Sequence, residues 1–227
     1  MGRGTSRTVS EEQMYQIVED NADYLDQISP TVSMTGSVKI GSSTYSSTSV
    51  SGVGETWFEM KGYEIAQGRG IEYMDIVNRK KVCVVGNYVA QTCFGGDAVG
   101  QSLKVGGTTF SIVGVMDQEA EEMEEGGTDD CVYVHYSTAA RLSFTGTISS
   151  YTITVTEEDY AALGKESIET ALYKIFQDED AYTVVSMAEM LDTMTGMVNM
   201  VIAVLASIAG ISLLVGGTSR PHRSAAV

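Results

Sequence analysis

Few side chains in this sequence are spaced for catalysis or metal binding. The chain has 2 histidines, and a catalytic triad would have to use His135, because His222 lies in a polar C-terminal tail. No G-x-S-x-G elbow is present to hold a serine nucleophile. No H-x-x-x-H pair or Cys/His cluster has the spacing of a zinc site, and no G-x-x-x-x-G-K-[ST] loop offers a route to ATP. We therefore predict no catalytic residue, metal or cofactor, and a chain that is not an enzyme.

The carboxylates are concentrated in one run. Segment 117–125 (DQEAEEMEE) is soon followed by Asp129 and Asp130. Calcium prefers such oxygen ligands, but the alternating D-x-D-x-D-G spacing of an EF-hand is missing. We therefore predict a mobile, solvated loop over 119–130 rather than a calcium site, since like charges repel one another and few apolar residues anchor them.

Charge and cysteine content limit the partners and the compartment. Lys and Arg number 14 against 30 Asp and Glu, for a formal net charge of −16 at pH 7. Acidic surfaces repel nucleic acid and anionic head groups, so we predict no nucleic-acid partner. The 3 cysteines lack C-x-x-C spacing and lie among apolar residues, as small buried side chains do. A disulfide between Cys83 and Cys93 would require an oxidising compartment, and the sequence alone does not decide whether it forms.

A long uncharged segment lies near the C-terminus. After Asp192 the next charged residue is Arg220, and 193–219 exceeds the roughly 20 residues that a helix needs to cross a bilayer. A buried core helix usually supplies only about 10–14 such residues, so the pattern favours a membrane helix. The polar, basic residues of 218–227 fit a positive-inside flank of that helix, but we expect them to be a vector-derived tail.

Apolar residues recur at near-heptad spacing just before that segment. They indicate either a helix packed on its own domain or a stalk that packs on a partner helix and continues into the membrane. Gly196 lies near the expected membrane boundary and is the expected bending point, since glycine is a poor helix former. The candidate stalk and coupling residues are Met187, Met190, Leu191, Met194, Gly196 and Met197.

The N-terminal half alternates helix and strand signals. Ser10 and Gln13 form a capping box, and a helix with Leu25 on its apolar face is predicted to stop before Pro30. Alternating residues at 38–53 predict strands with one exposed face. KKVCVV predicts a buried strand over 82–85, followed by a short helix. Two glycines, Gly106 and Gly107, predict a hairpin turn.

The second half continues the mixture. A strand is predicted at 131–134, followed by a helix capped by Ser137. A further strand begins near Ile148, and a helix with an apolar face carries Ile168. A short strand is predicted at 182–185. Ser186 then opens a second capping box and a helix without proline to Gly217. The fold class is therefore α+β.

Four blocks, in this order, resemble the MacB-like extracytoplasmic core domain of MacB/FtsX-type ABC transporter permeases. They are 49–69 (SVSGVGETWFEMKGYEIAQGR), 82–115 (VCVVGNYVAQTCFGGDAVGQSLKVGGTTFSIVGV), 129–142 (DDCVYVHYSTAARL) and 208–217 (IAGISLLVGG). The resemblance covers most of 10–217. In this family a first membrane helix precedes the domain and three follow it. The first of those three would begin here at about Met197.

The resemblance implies a two-lobed domain. A porter-like α+β lobe would comprise 10–56 and 148–186, with an inserted, mostly β, sabre-like lobe at 57–147. A stalk helix at 187–217 would run into a truncated transmembrane helix, ahead of the tail at 218–227. We expect the two ends of the inserted lobe to lie close together, and 10–28 to pack in the same lobe as 166–176.

The resemblance also implies partners and a location. Permeases of this family work as dimers with an ATP-hydrolysing subunit or domain, so we expect a homodimer or pseudo-symmetric dimer in the cell membrane. The domain would lie on the extracytoplasmic side. Two functions remain open: transmission of ATP-driven movement to the export of a peptide, antibiotic or lipid-linked substrate, or sensing and partner binding in a regulatory complex.

Overall fold

The computed structural model describes residues 8–143, 148 and 150–217, with side chains described up to 205. These residues form two compact units. One unit is Thr8–Thr156, and the other comprises the described residues from 157 onward. The tail at 218–227 and residues 144–147 of the predicted inserted lobe lie outside the described residues.

The first unit combines a large sheet with five helices among its described residues. The helices are α1 (Glu11–Asp20), α2 (Trp57–Lys61), α3 (Tyr73–Val77), α4 (Asn87–Phe94) and α5 (Tyr136–Leu142). The strands are β1 (Leu25–Met34), β2 (Val38–Ile40), β3 (Ser43–Tyr45), β4 (Ser49–Val53), β5 (Ile65–Gly68), β6 (Val82–Val85), β7 (Ser102–Val105), β8 (Thr108–Met116), β9 (Cys131–His135) and β10 (Ser150–Val155).

The described strands form one sheet in the order β10-β1-β4-β9-β6-β8-β7-β2-β3, with β5 beside β8. The pairs β4–β9 and β6–β8 are parallel, and the other pairs are antiparallel. Helices and a mixed sheet confirm the predicted α+β class.

The central strands are buried on both faces. All residues of β6 are buried, as the continuous VCVV run predicts. Along β6 the side chains alternate between two apolar clusters: Cys83 and Val85 pack with Val89 of α4, whereas Val84 packs with Phe58 of α2. Helices therefore cover both faces of the centre of the sheet.

Backbone geometry explains the predicted hairpin. Gly106 and Gly107 join β7 to β8 with φ of 54° and 81°. Side chains disfavour this left-handed region, so the glycine pair sets the turn and with it the register of β7 on β8.

The first predicted helix is too long. Helix α1 has the predicted capping box between Ser10 and Gln13 but ends at Asp20, and Leu25 begins a strand instead. The side-chain amide Nδ2 of Asn21 donates to the Ile17 carbonyl at 2.7 Å and helps to terminate the helix. Strand pairing on both edges of β1 outweighs the helical spacing of the apolar residues.

Two further local predictions are wrong. His135, and not Ser137, is the N-cap of α5: its Nδ1 accepts the Ser137 N–H at 3.3 Å. Segment 182–185 forms no strand and pairs with no other strand among the described residues. Cys83 and Cys93 are both free thiols.

The compact units do not follow the predicted lobes. Residues 57–143 contribute β5 to β9 to the same sheet as β1 and β4. The division falls after Thr156, so 10–28 and 166–176 belong to different units, contrary to our expectation. The reason is that β10 pairs with β1 and so joins the sheet, whereas the helix that follows does not. The two-lobe boundaries stay a prediction.

Candidate functional site

The second unit contains two long helices, α6 (Ala161–Phe176) and α7 (Met187–Gly217). Helix α7 has 31 residues and is roughly 46 Å long at 1.5 Å per residue. The Met190 N–H donates to the Ser186 carbonyl at 3.1 Å and closes its first turn. The prediction of one continuous helix from Ser186 to about Gly217 is confirmed.

The candidate coupling residues lie on one side of α7, with one exception. At about 100° per residue, the four methionines fall within an arc of about 80°, with Leu191 beside them. Gly196 lies on the opposite side, and a Cβ added there would meet no heavy atom within 4 Å. The side chains of Met187, Met190, Leu191, Met194 and Met197 are between 48% and 63% exposed.

Exposure of an apolar helix on all sides is unusual in water. Within the described residues, Met187–Leu205 is long and apolar enough to cross a membrane, and 0% of it is buried. The helix carries Glu189 and Asp192 in its first two turns, followed by uncharged residues. Such a helix requires cover from lipid or other helices over its apolar part.

A side-chain contact joins the start of α7 to α6. The Lys165 Nζ donates to Glu189 Oε2 at 2.6 Å and also lies 3.9 Å from Glu169 Oε1. The hydrogen bond to Glu189 raises the pKa of Lys165 above its ordinary value. Glu189 of the predicted Ser186–Glu189 capping box therefore takes part in an ion pair between the two helices, and the box itself stays a prediction.

A second contact fixes the connection that leads into α7. The Tyr182 hydroxyl donates to the Glu169 carbonyl at 3.1 Å, and the rings of Phe176 and Tyr182 lie 5.8 Å apart. Chain segment 182–186 therefore runs back along α6 and brings Glu189 beside Lys165. The Lys165–Glu189 ion pair and the Tyr182 contacts together join the start of α7 and its connection to α6.

His135 has the environment of a structural histidine. It is 3% exposed, and burial lowers its pKa from 6.5 to about 4. Its Nδ1 lies 2.9 Å from the Ser137 Oγ. The same Nδ1 accepts the Ser137 N–H and caps α5, which gives His135 a structural role. The absence of a catalytic role stays a prediction.

The acidic loop is more ordered at its end than the sequence indicates. The glutamates of 119–125 are exposed as predicted, but Asp129 and Asp130 are 2% and 1% exposed. The Asp129 carboxylate accepts the backbone N–H groups of Glu119 and Ala120, both at 3.0 Å. Buried acceptors of this kind give no periodic sequence signal, so they were missed. In the described residues no group of His, Cys, Asp and Glu has metal-site geometry.

Comparison with protein families and curated sequences gives a consistent result. Residues 1–171 match the profile of the MacB-like periplasmic core domain. The macrolide export ATP-binding/permease protein MacB 1/2 of Paracoccus denitrificans is 30% identical over 197 residues, or 86% of this chain and 29% of that protein. Its namesake MacB from Rhodopseudomonas palustris is 28% identical over 86% of this chain and 30% of its own length. The chain therefore spans about 30% of these relatives.

Two solved structures share the fold. The periplasmic region of MacB from Actinobacillus actinomycetemcomitans matches with a TM-score of 0.66 at 19% identity, covering 80% of this chain and 82% of that one. The extracellular domain of the noncanonic ABC-type transporter YknZ from Gram-positive bacteria matches with a TM-score of 0.62 at 16% identity, covering 78% and 89%. At these identities the likeness establishes the fold.

Proposed function

This chain belongs to the MacB-like periplasmic core domain family, and we propose that α7 couples this domain mechanically to the membrane part of an ABC transporter permease. The coarse role, as the periplasmic domain of a MacB-like permease, follows from family membership. The observation that carries the finer proposal is one unbroken helix of 31 residues that starts beside α6 and has the length and composition of a membrane span.

The proposed mechanism is rigid-body transmission. A helix resists bending because each turn is fixed by backbone hydrogen bonds, so displacement of one end moves the other. The methionine stripe gives α7 an apolar surface on which a partner helix can slide, since methionine adapts to varied packing. The ion pair of Lys165 with Glu189 and the Tyr182 hydroxyl pass that movement to α6.

The remaining components are proposed from the relatives. ATP hydrolysis would occur in an ATP-binding subunit or domain, and two permease copies would act together in the cell membrane, with this domain outside the cytoplasm. Relatives are named for macrolide export. A macrolide is therefore the first substrate to test, and sensing or partner binding without export is the alternative function.

The test uses charge reversal at the contact between α6 and α7. The full-length permease and its ATP-binding partner are reconstituted in proteoliposomes, and macrolide transport is measured per ATP hydrolysed. We expect Lys165→Glu and Glu189→Lys each to lower this ratio while leaving ATP hydrolysis intact. The double exchange should restore the ratio, because it re-forms the ion pair with its charges reversed.

A matched control separates coupling from net charge. Lys174→Glu makes the same charge change on the exposed surface of α6 and should leave the ratio unchanged. Failure of the double exchange to restore the ratio would contradict a role for this contact. An absence of macrolide transport in the wild type, with ATP hydrolysis intact, would favour the regulatory alternative.

A further inference from the structure

One small surface of the sheet-bearing unit differs from the rest. Helix α3 presents Tyr73, Met74 and Val77 at 63%, 56% and 54% exposure. In Thr8–Thr156 no other large apolar side chain in the described residues is as exposed. At helical spacing the three lie within about 100° of arc and form one apolar surface.

Ion pairs on the opposite side of α3 fix the position of this helix. Asp75, on the other side of α3, is 1% exposed and accepts two hydrogen bonds from Arg69, at 2.6 and 3.0 Å. Lys80 lies 3.3 Å from the same carboxylate. Burial acts to raise the pKa of Asp75, but the hydrogen bond from Arg69 and its other partners hold it below the ordinary value. The apolar residues are therefore presented on a fixed helix.

A basic run borders the apolar residues. Arg79, Lys80 and Lys81 are consecutive and exposed, and no other three basic residues are adjacent in the sequence. Arg79 and Lys81 form no ion pair within the described part of the chain. Basic charge is scarce in a chain with 14 Lys and Arg against 30 Asp and Glu. The run is thus a local positive patch on an acidic protein.

The backbone at Arg79 forms the turn that ends α3. Arg79 has φ of 52°, a left-handed conformation that glycine or asparagine adopts more readily at the end of a helix. The turn closes with the Arg79 N–H on the Ile76 carbonyl at 3.0 Å and the Lys80 N–H on the Asp75 carbonyl at 2.9 Å. A long side chain therefore stands at the end of α3 where the backbone conformation favours glycine or asparagine.

We propose that Tyr73, Met74 and Val77, with the basic rim of Arg79 and Lys81, dock an acidic segment of a partner protein that carries apolar side chains. Tyrosine, methionine and arginine are enriched at protein interfaces. The acidic surface elsewhere repels such a segment, and this patch combines basic charge with exposed apolar side chains, so it favours binding there. An anionic bilayer is a wide surface that would also face the acidic residues around the patch in a chain of net charge −16, whereas a short segment can contact the patch alone. The proposal is independent of coupling through α7.

The probe is a fluorescent peptide with the sequence DQEAEEMEE, which combines carboxylates with one methionine. Its binding to the full chain in nonionic detergent micelles is measured by anisotropy at low salt. We expect Arg79→Glu with Lys81→Glu to weaken binding about tenfold or more, because it reverses the rim charge. Tyr73→Ser with Met74→Ser should weaken it to a similar extent, because it removes the apolar contacts.

The control is Lys39→Glu with Lys104→Glu, an exposed cross-strand pair that undergoes the same charge change away from α3. It should alter binding by less than about twofold. Equal losses in the two charge-reversal pairs, or no loss on removing the apolar side chains, would show non-specific charge attraction and overturn the proposal. So would the lack of peptide binding by wild type. Binding of phosphatidylglycerol vesicles, but not peptide, would assign the patch to lipid instead. Circular dichroism checks that each variant is folded.

Discussion

Strand β6 and helix α7 are both strongly apolar, but the strand is buried and the described part of the helix is not. Every residue of β6 is buried between helices on its two faces, whereas the described side chains of α7 are exposed along Met187–Leu205. Within the described residues, helices of the same unit cover the strand, whereas no part of Met187–Leu205 is buried. The difference teaches that the apolar character of β6 serves folding, while that of α7 is available for lipid and partner helices.

The largest expected effect separates the two regions by stability. Phe110 is 1% exposed in the main apolar cluster, and Phe110→Ala should lower the free energy of unfolding by about 3–5 kcal/mol. Met194→Ala should lower it by less than about 0.5 kcal/mol, because Met194 is 54% exposed. Urea unfolding of the full chain in detergent micelles measures both. Similar losses for the two variants would show that α7 packs on the domain.

The second prediction concerns pH and applies only to the sheet-bearing unit. Burial lowers the pKa of His135 from 6.5 to about 4, so between these values the unfolded state binds the proton and the folded state does not. Stability from this group is complete above pH 6.5 and is lost as pH falls towards 4, by up to about 3 kcal/mol.

His135→Gln removes this titration and tests the sign. From pH 6.5 to pH 4, wild type should lose more unfolding free energy than the variant, measured by urea unfolding at each pH. The carboxylates are the same in both proteins, so the difference between the losses of unfolding free energy in wild type and variant isolates the contribution of His135. Parallel pH curves would mean that His135 keeps its ordinary pKa.

The third prediction addresses the bending point in α7. Gly196→Ala should stabilise the helix by about 1 kcal/mol, because alanine has the higher helix propensity and its Cβ meets nothing within 4 Å. Helix content on heating, followed by circular dichroism, should persist to higher temperature. If Gly196 is a required hinge, the variant should also transport less per ATP. Unchanged transport with a stiffer helix would leave the glycine without a role in bending.

The smallest expected effect is that of calcium on the acidic loop. Both Asp129 oxygens accept backbone N–H groups, and Asp130 Oδ2 accepts the Gly126 N–H at 2.8 Å. The aspartates are therefore largely committed, and the exposed glutamates alone make a poor site. Low millimolar calcium should leave the melting temperature of the chain unchanged within error. An increase of several degrees would instead indicate a metal site.

The sequence predicted elements whose signals are local. The VCVV strand follows from a continuous apolar run, and the Gly106–Gly107 turn follows from two adjacent glycines that tolerate positive φ. The helix after Ser186 follows from a long apolar segment without proline. The boundary between α1 and β1 could not be found this way, because partners distant in sequence decide where Leu25 belongs.

The contacts of the candidate site were harder to predict. Helical spacing placed the methionines on one side of α7, but Lys165 lies 24 residues from Glu189 and no pattern links them. The buried Asp75, Asp129 and Asp130 were missed for the same reason: their partners are backbone groups or basic residues brought close by the fold. Apolar periodicity carries no information about such partners.

The most direct test of mechanical coupling breaks α7 between the domain and the membrane. In the full-length permease with its ATP-binding partner, an environment-sensitive fluorophore is attached at Val77→Cys, a position 54% exposed. Its signal is compared with and without ATP in wild type, in Met190→Pro with Met194→Pro, and in the matched Met190→Ala with Met194→Ala. Native cysteines are replaced first, and membrane insertion is checked in each variant.

Each proline kinks or breaks a helix at a cost of about 3 kcal/mol or more, whereas alanine preserves it. The account predicts that the ATP-dependent signal survives in the alanine pair and disappears in the proline pair while ATP hydrolysis continues. An ATP-dependent signal that persists in a folded, membrane-inserted proline pair would contradict coupling through α7.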